Sequence, residues 1–184
     1  DVVYNGDPAA GEKELEALRK VGTPIADGVA LQDYTVMQTN NDAAFGHGVR
    51  SYAKNGMVKE WTQGLVDSML DADDPRIFIA NHVAGGAVKR VGELDTAFPH
   101  RNAEIMIVVV AGWMDAAQDD GLIAACRDYY KAIEPHLGGY YSNIDFDHTA
   151  AKGNYGPAYD RLASIKSEYD PGNLFRLNSN IDPA

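Results

Sequence analysis

The stretch "AEIMIVVVAGW", residues 103–113, limits the possible folds more than any other part of this chain. Its Ile and Val side chains are branched at Cβ and suit a pleated, buried surface, so the run predicts a strand. "RIFIANHVAGGAVKRV" (76–91) gives a second strand signal, and the connection "GELDTAFPHRN" predicts that the two lie antiparallel. Helices are expected in "AAGEKELEALRKVG", with Leu15 and Leu18 on one face, and in "MVKEWTQGLVDSMLDADD", with a stripe of Val58, Trp61, Leu65, Val66 and Met69. Two more are expected in "DDGLIAACRDYYKAIEPHL" and in "AYDRLASIKSEY", which stops before Pro171. "DVVYNGD" and the alternating "VALQDYTVMQ" read as short strands, and "GGYYSNIDF" as extended chain. "TNNDAAFGHGVRSYAKNG" and "DHTAAKGNYGP" read as loops. Strands and helices mix without the regular βαβ rhythm of a parallel sheet. The expected class is therefore α+β, an antiparallel β-sheet covered by helices on one face.

With 184 residues the chain can bury a sizeable core, and no run of 18 apolar residues offers a membrane span. A net charge of −11 repels phosphate backbones and anionic headgroups, so neither nucleic acid nor membrane is expected as a partner. The single cysteine, Cys126, excludes an internal disulfide and a cysteine-based zinc site, and its apolar setting predicts a small buried side chain. The opening "DVVYNG" has no initiator Met and no leader composition, which fits a processed precursor or a fragment, and the default compartment is cytoplasmic.

Few residues look chemical. "GHGVRS" (46–51) imitates the start of a dinucleotide fingerprint but lacks the third glycine and follows loop. Asp145, Asp147 and His148 of "DFDH" could serve a metal, although a solvated loop is the plainer reading, and no metal is expected. His100 and Arg101, after Pro99, could bind an anion or polarise a carbonyl, or Arg101 could simply pair with a carboxylate of its own domain. Neighbours on an extended segment face opposite ways, so one of Tyr140 and Tyr141 would pack inward while the other faces outward with Asn143. An outward phenol acts as a base only beside positive charge or a flavin.

The tail narrows the field. "YDPGNLFRLNSNI", from Tyr169, resembles the C-terminal signature of the berberine bridge enzyme-like FAD-linked oxidases. "GGAVKRVGELDTAFPHRN" looks like that family's G-G-A-V strand and T-A-F-P-H-R turn, and "YSNIDFD" resembles its Y-x-N-Y strand. Weaker agreements in "YNGD", "GVRSYAKNGMV" and "NYGPAYDRLASIKSEYDP" follow in the family's order along nearly the whole chain.

The resemblance covers the later part of such proteins, which builds an antiparallel sheet over the flavin and shapes the substrate pocket. It implies a substrate-binding, flavin-covering domain in residues 1–165 and, in 166–184, a tail that packs on an FAD-binding domain outside this chain. It implies FAD as cofactor and hydride transfer from a C–H bond of an alcohol, sugar or natural product. Tyr141, or Tyr140, is then the candidate base, with Asn143 and Asn180 on the cofactor side and His100 and Arg101 toward a small-molecule substrate. Ile144 stands where the family often has a second tyrosine. Cys126 falls in the substrate portion and is not a flavin-attachment residue. The alternative is a non-catalytic binding module derived from that domain. A surface made to meet a flavin domain would be apolar, so a homodimer or a second chain is a possible partner.

Overall fold

The computed structural model describes residues 2–43, 46–72, 74–147 and 151–184. By its internal contacts the chain divides into two units, residues 1–47 and 48–184. In the first, helix α1 (Pro8–Arg19) begins at Asp7, whose carboxylate accepts from the Ala10 amide at 3.0 Å, with Pro8 at the first helical position. Gly11 is buried because the Tyr4 ring lies against it, where a Cβ would come within 2.6 Å. The strand expected in "VALQDYTVMQ" is instead an irregular stretch followed by a short helix, α2 (Tyr34–Thr39), and "DVVYNGD" forms no strand among its described residues. A strand needs a neighbour to take up its backbone groups, whereas a helical turn closes its own.

The second unit holds the sheet. Strands β1 (Arg50–Val58), β2 (Phe78–Val83) and β3 (Ile105–Trp113) are ordered β1-β3-β2, all antiparallel. β3 is central, which explains its unbroken apolar run: Ile105, Ile107, Val109, Ala111 and Trp113 enter one core while Met106 and Val108 enter another. The expected pairing of the two apolar runs is found, with Ala80 opposite Val108. The unexpected partner is β1, nine residues paired from Arg50↔Trp113 to Val58↔Ile105 in a stretch that reads as loop and helix start. Its Lys, Asn and Gly have weak strand preferences, and pairing with β3 overrides them.

Helices cover one face of this sheet, as expected. Helix α3 (Gln63–Asp71) starts at Thr62, whose hydroxyl accepts from the Leu65 amide, so Met57 and Val58 belong to β1 and Trp61 is half exposed. Helix α4 (Asp119–Ile133) buries Leu122, Cys126, Tyr129 and Ile133, one stripe along the helix, against Tyr52, Ile107 and Val109. The Asp119 carboxylate accepts from Trp113 Nε1 at 2.7 Å and from Arg50 Nε at 2.6 Å, pinning the start of α4 to β1 and β3. Cys126 is fully buried, and burial pushes its thiol up to about 11. Part of the expected loop "DHTAAKGNYGP" is a short helix, α5 (Ala151–Tyr155), and α6 (Tyr159–Tyr169) follows. No helix among the described residues is long and apolar enough to cross a membrane.

Candidate functional site

The sheet face opposite the helices carries Ala53 and Met57 of β1, Met106 and Val108 of β3, and against them Ala103, Ala80, Phe98, Tyr141 and Ile144. The segment that brings Tyr141 here runs beside the outer edge of β1. Met57 donates to the Gly139 carbonyl at 2.8 Å and accepts from the Gly138 amide at 2.7 Å, and further on Phe146 donates to the Ala53 carbonyl at 3.3 Å. From residue 57 to 53 is a much shorter path than from 139 to 146, so the segment bulges, and its surplus forms a tight turn at Ser142–Ile144. Between the two ladder points the side chain of Asn55 stands in for backbone: its Oδ1 accepts from the Tyr141 amide at 2.7 Å and its Nδ2 donates to the Tyr141 carbonyl at 2.8 Å.

The two tyrosines separate as their neighbouring positions imply. Tyr140 is buried, and burial, with a further contribution from Asp145, pushes its phenol up to about 12. Tyr141 is half-buried, and its phenol oxygen accepts a hydrogen bond from Asn143 Nδ2 at 2.8 Å. That leaves the phenol proton available to a partner beyond the protein. The Phe98 ring meets Tyr141 edge to face at 6.2 Å and His100 at 5.6 Å. His100 is held inward, its Nε2–H donating to the Asn154 carbonyl at 2.8 Å, and burial lowers its pKa against the opposing pull of that hydrogen bond. Asn154, itself buried, accepts from the Ser142 amide at 3.0 Å. Arg101 stacks on Phe98, its guanidinium 5.1 Å from the ring centre and Nη2 donating to Thr96 Oγ1 at 2.6 Å, while its buried Nε has no hydrogen-bond partner among the described residues.

Asp145 and Asp147 are not a solvated loop. Lys54 Nζ lies 3.3 Å from Asp145, which is buried, and 3.1 Å from Asp147, and it sits over the Tyr130 ring. Arg127 Nη2 donates to Asp147 at 2.6 Å and its Nε to the Tyr52 phenol at 3.0 Å. His148 lies outside the described residues, and no cluster of His, Cys, Asp or Glu suited to a metal occurs among those described. "GHGVRS" leads into β1, whereas dinucleotide binding needs a glycine turn that opens a helix.

Asn180 lies in the tail, far along the chain from these residues. Its Nδ2 donates to Asp182 at 2.8 Å, and its Oδ1 is buried without a hydrogen-bond partner among the described residues. The tail turn is tied by Asp170, which accepts from the Leu174 amide at 2.8 Å and the Phe175 amide at 3.1 Å, with Lys166 donating to the Phe175 carbonyl at 2.6 Å. Leu174, Phe175 and Leu177 project outward and are more than two-thirds exposed.

The family profile described as "Berberine and berberine like" matches residues 140–182, from Tyr140 through the tail. An FAD-linked oxidoreductase of Dictyostelium discoideum is 27% identical over 188 aligned positions, covering 98% of this chain and 41% of the relative. Over these stretches the chain is similar to berberine bridge enzyme-like proteins. Among its relatives, berberine bridge enzyme-like 17 of Arabidopsis thaliana is 28% identical over 77% of this chain and 30% of that protein. The fold likeness extends to 6-hydroxy-D-nicotine oxidase from Arthrobacter nicotinovorans, with a TM-score of 0.71 at 23% identity, covering 97% of this chain and 43% of that one. The chain thus spans about 41% of the length of the Dictyostelium relative.

The residues that sequence reasoning missed are Asn55 and Lys54. Asn-Gly at 55–56 is a turn signal, and nothing local announces that Asn55 binds backbone far along the chain. Asn154 was hidden in the same way, within a stretch that reads as loop.

Proposed function

We propose that this chain is the substrate-binding and flavin-covering part of an FAD-linked oxidoreductase that oxidises a C–H bond of an alcohol, sugar or natural product. The observation that carries the reading is the Tyr141–Asn143 pair, hydrogen-bonded at 2.8 Å and set by a bulge on the apolar sheet face, within the segment that matches the family profile.

The residues present suit one wall of a flavin site. Ala53, Met57, Met106 and Val108 make an apolar surface on which a flat ring can rest, and the half-buried Tyr141 phenol reaches it without being sealed in the core. Asn180 supports the same reading, since its buried Oδ1 has acceptor capacity that a donor outside these residues would use. Bound there, FAD would supply the hydride acceptor. The protein groups do the rest. Tyr141 would hydrogen-bond the group on the substrate that loses a proton, with Asn143 fixing the phenol oxygen and Phe98 limiting the ring's swing. Tyr140 suits that part less well, being buried with its phenol pushed up to about 12. Arg101, stacked on Phe98 with an Nε that has no partner among the described residues, would steady an oxygen of the substrate, while His100 holds the Ser142 turn through Asn154.

The tail, residues 166–184, would pack on an FAD-binding domain outside these 184 residues, and its exposed Leu174, Phe175 and Leu177 are the side chains such packing would bury. The test is an absorbance scan from roughly 300 to 550 nm on protein purified from its native source, with intact mass, since flavin chemistry belongs to the cofactor and travels with it. A flavin band carried by a longer polypeptide or a second chain is expected. A colourless protein with the mass of these residues alone would overturn the reading in favour of a binding module, to which Ile144, packed on the same face in place of a tyrosine, would then belong.

A further inference from the structure

The bulge that presents Tyr141 has no regular secondary structure to keep it in place. Its backbone meets β1 at two points, Met57 and Ala53, and between them the turn at Ser142–Ile144 leaves the ladder. A loop so attached slides and frays unless something grips its middle. The grip is Asn55. This side chain is 1% exposed, on the strand that pairs with the central strand β3, and both of its polar atoms are spent on one residue, the amide and the carbonyl of Tyr141. An amide is the side-chain group that offers a donor and an acceptor side by side, as a backbone partner in a strand does.

We infer that Asn55 is a positioning residue for Tyr141: it acts as a two-pronged backbone surrogate that fixes where the phenol stands relative to the sheet. The inference rests on the reading of Tyr141 as the group that faces substrate, but the clamp itself is a property of this chain alone. Asn55 does not touch the Tyr141 phenol, and its effect runs through the backbone to the Tyr141–Asn143 hydrogen bond and the Phe98 contact. Without it the Tyr141 amide is left in a buried setting with no acceptor, whereas the carbonyl keeps its weaker bond from the Ile144 amide at 3.2 Å. The turn would then rotate about that remaining bond and carry the phenol away from Phe98.

The experiment is nuclear magnetic resonance on the full 184-residue chain carrying 13C at the tyrosine Cζ, with the Tyr141 signal assigned through Tyr141→Phe. Tyr129, buried on α4 with its hydroxyl donating to the Met69 carbonyl, reports whether the core is intact. In Asn55→Leu the Tyr141 signal should move toward that of free tyrosine or broaden, while Tyr129 stays in place. A Tyr141 signal unchanged beside an unchanged Tyr129 overturns the inference.

Asn55→Asp gives a second arm that does not depend on the Leu variant folding. A protonated carboxyl has the shape of the amide and keeps one donor and one acceptor, whereas the ionised form has only acceptors. The Tyr141 signal of Asn55→Asp should therefore sit at its native position at low pH and leave it as the introduced carboxyl ionises. His100, Asp145, Asp147, Lys54 and Arg127 surround this segment, so the same titration of the unsubstituted chain supplies the baseline. A variant signal that tracks that baseline throughout overturns the clamp. Because neither arm involves flavin, failure here leaves the absorbance test untouched, and a colourless native protein leaves the clamp untouched.

Discussion

Replacing Lys54 by Met would remove a cation that pairs with both Asp145 and Asp147 while keeping much of the aliphatic stem. The cost follows from where the charges sit. The Lys54 side chain is 12% exposed and Asp145 is 3% exposed, so this is a buried pair, and taking away one partner of such a pair costs about 3–5 kcal/mol because the other charge stays out of water. Asp147 moderates the loss, for it is 27% exposed and keeps Arg127 at 2.6 Å. Asp145 also has an interaction besides the one with Lys54, and together these place the effect near the low end, about 3 kcal/mol. For a chain of this size that corresponds to a fall in Tm of roughly 6–12 °C. Urea denaturation followed by circular dichroism should show a lower midpoint with an unchanged slope, since the surface exposed on unfolding is the same. Adding Asp145→Asn removes the buried carboxylate charge that Lys54 neutralised, so the double variant should recover part of the loss and give a favourable coupling between the two positions. The reasoning is refuted if Lys54→Met lies within about 1 kcal/mol of the unsubstituted chain, the range of an exposed ion pair, or if the double variant is no more stable than the single one.

Other consequences follow from the same region and from the core. Arg127, with Tyr52 and Lys54 adding to it, holds the Asp147 carboxyl well below the usual carboxylate range, so this group's contribution is complete above pH ~4 and is lost as pH falls through the folded value. Arg127→Leu should thus be less stable than the unsubstituted chain at neutral pH, with the gap closing only in strong acid; a gap that widened on acidification would contradict the assignment. Gly139 has φ +137° and a Cβ there would come within 2.4 Å of His100 Cε1, so Gly139→Ala should destabilise by about 1–3 kcal/mol in urea titration and alter the His100 signals in NMR spectra. The Cys126 thiol, fully buried and pushed up to about 11, should resist a disulfide reagent in the native chain at pH 8 and react promptly in denaturant; prompt native reaction would show that α4 opens far more readily than its packing implies.

Much of the fold was legible where local preference and final environment agree. The run around Ile107–Val110 is strand by composition and strand by position, because a central strand wants apolar residues on both faces. The stripe of Leu122, Cys126, Tyr129 and Ile133 likewise declares a helix with one buried side. The site was legible in part: adjacent tyrosines do differ, Tyr140 buried and Tyr141 half-buried, but the segment expected to be extended turns at Ser142–Ile144, and it is this turn that brings Asn143 to the Tyr141 phenol. β1 was not legible, because Asn55 and Gly56 look like a turn when only their neighbours in sequence are considered. Gly56 is there for space, since a Cβ at that position would lie 2.3 Å from Leu137 Cδ1, and Asn55 is there for its two hydrogen bonds to Tyr141.

The amino-acid sequence by itself determined the α+β class, the central strand, the main helices and the residue types around Tyr141, since each of these depends on short-range periodicity or on a motif. Only the tertiary structure decided that residues 50–58 are a strand, that Lys54 and Asn55 grip the segment 141–147, and that Tyr34–Thr39 is helical and not extended. For the first two the physical reason is the same: whether a polar or weakly inclined stretch is ordered depends on the partner that takes up its backbone groups and charges, and that partner lies far along the chain, where no local pattern refers to it. Tyr34–Thr39 is the converse, pairing with no strand among the described residues and closing its backbone groups in a helical turn.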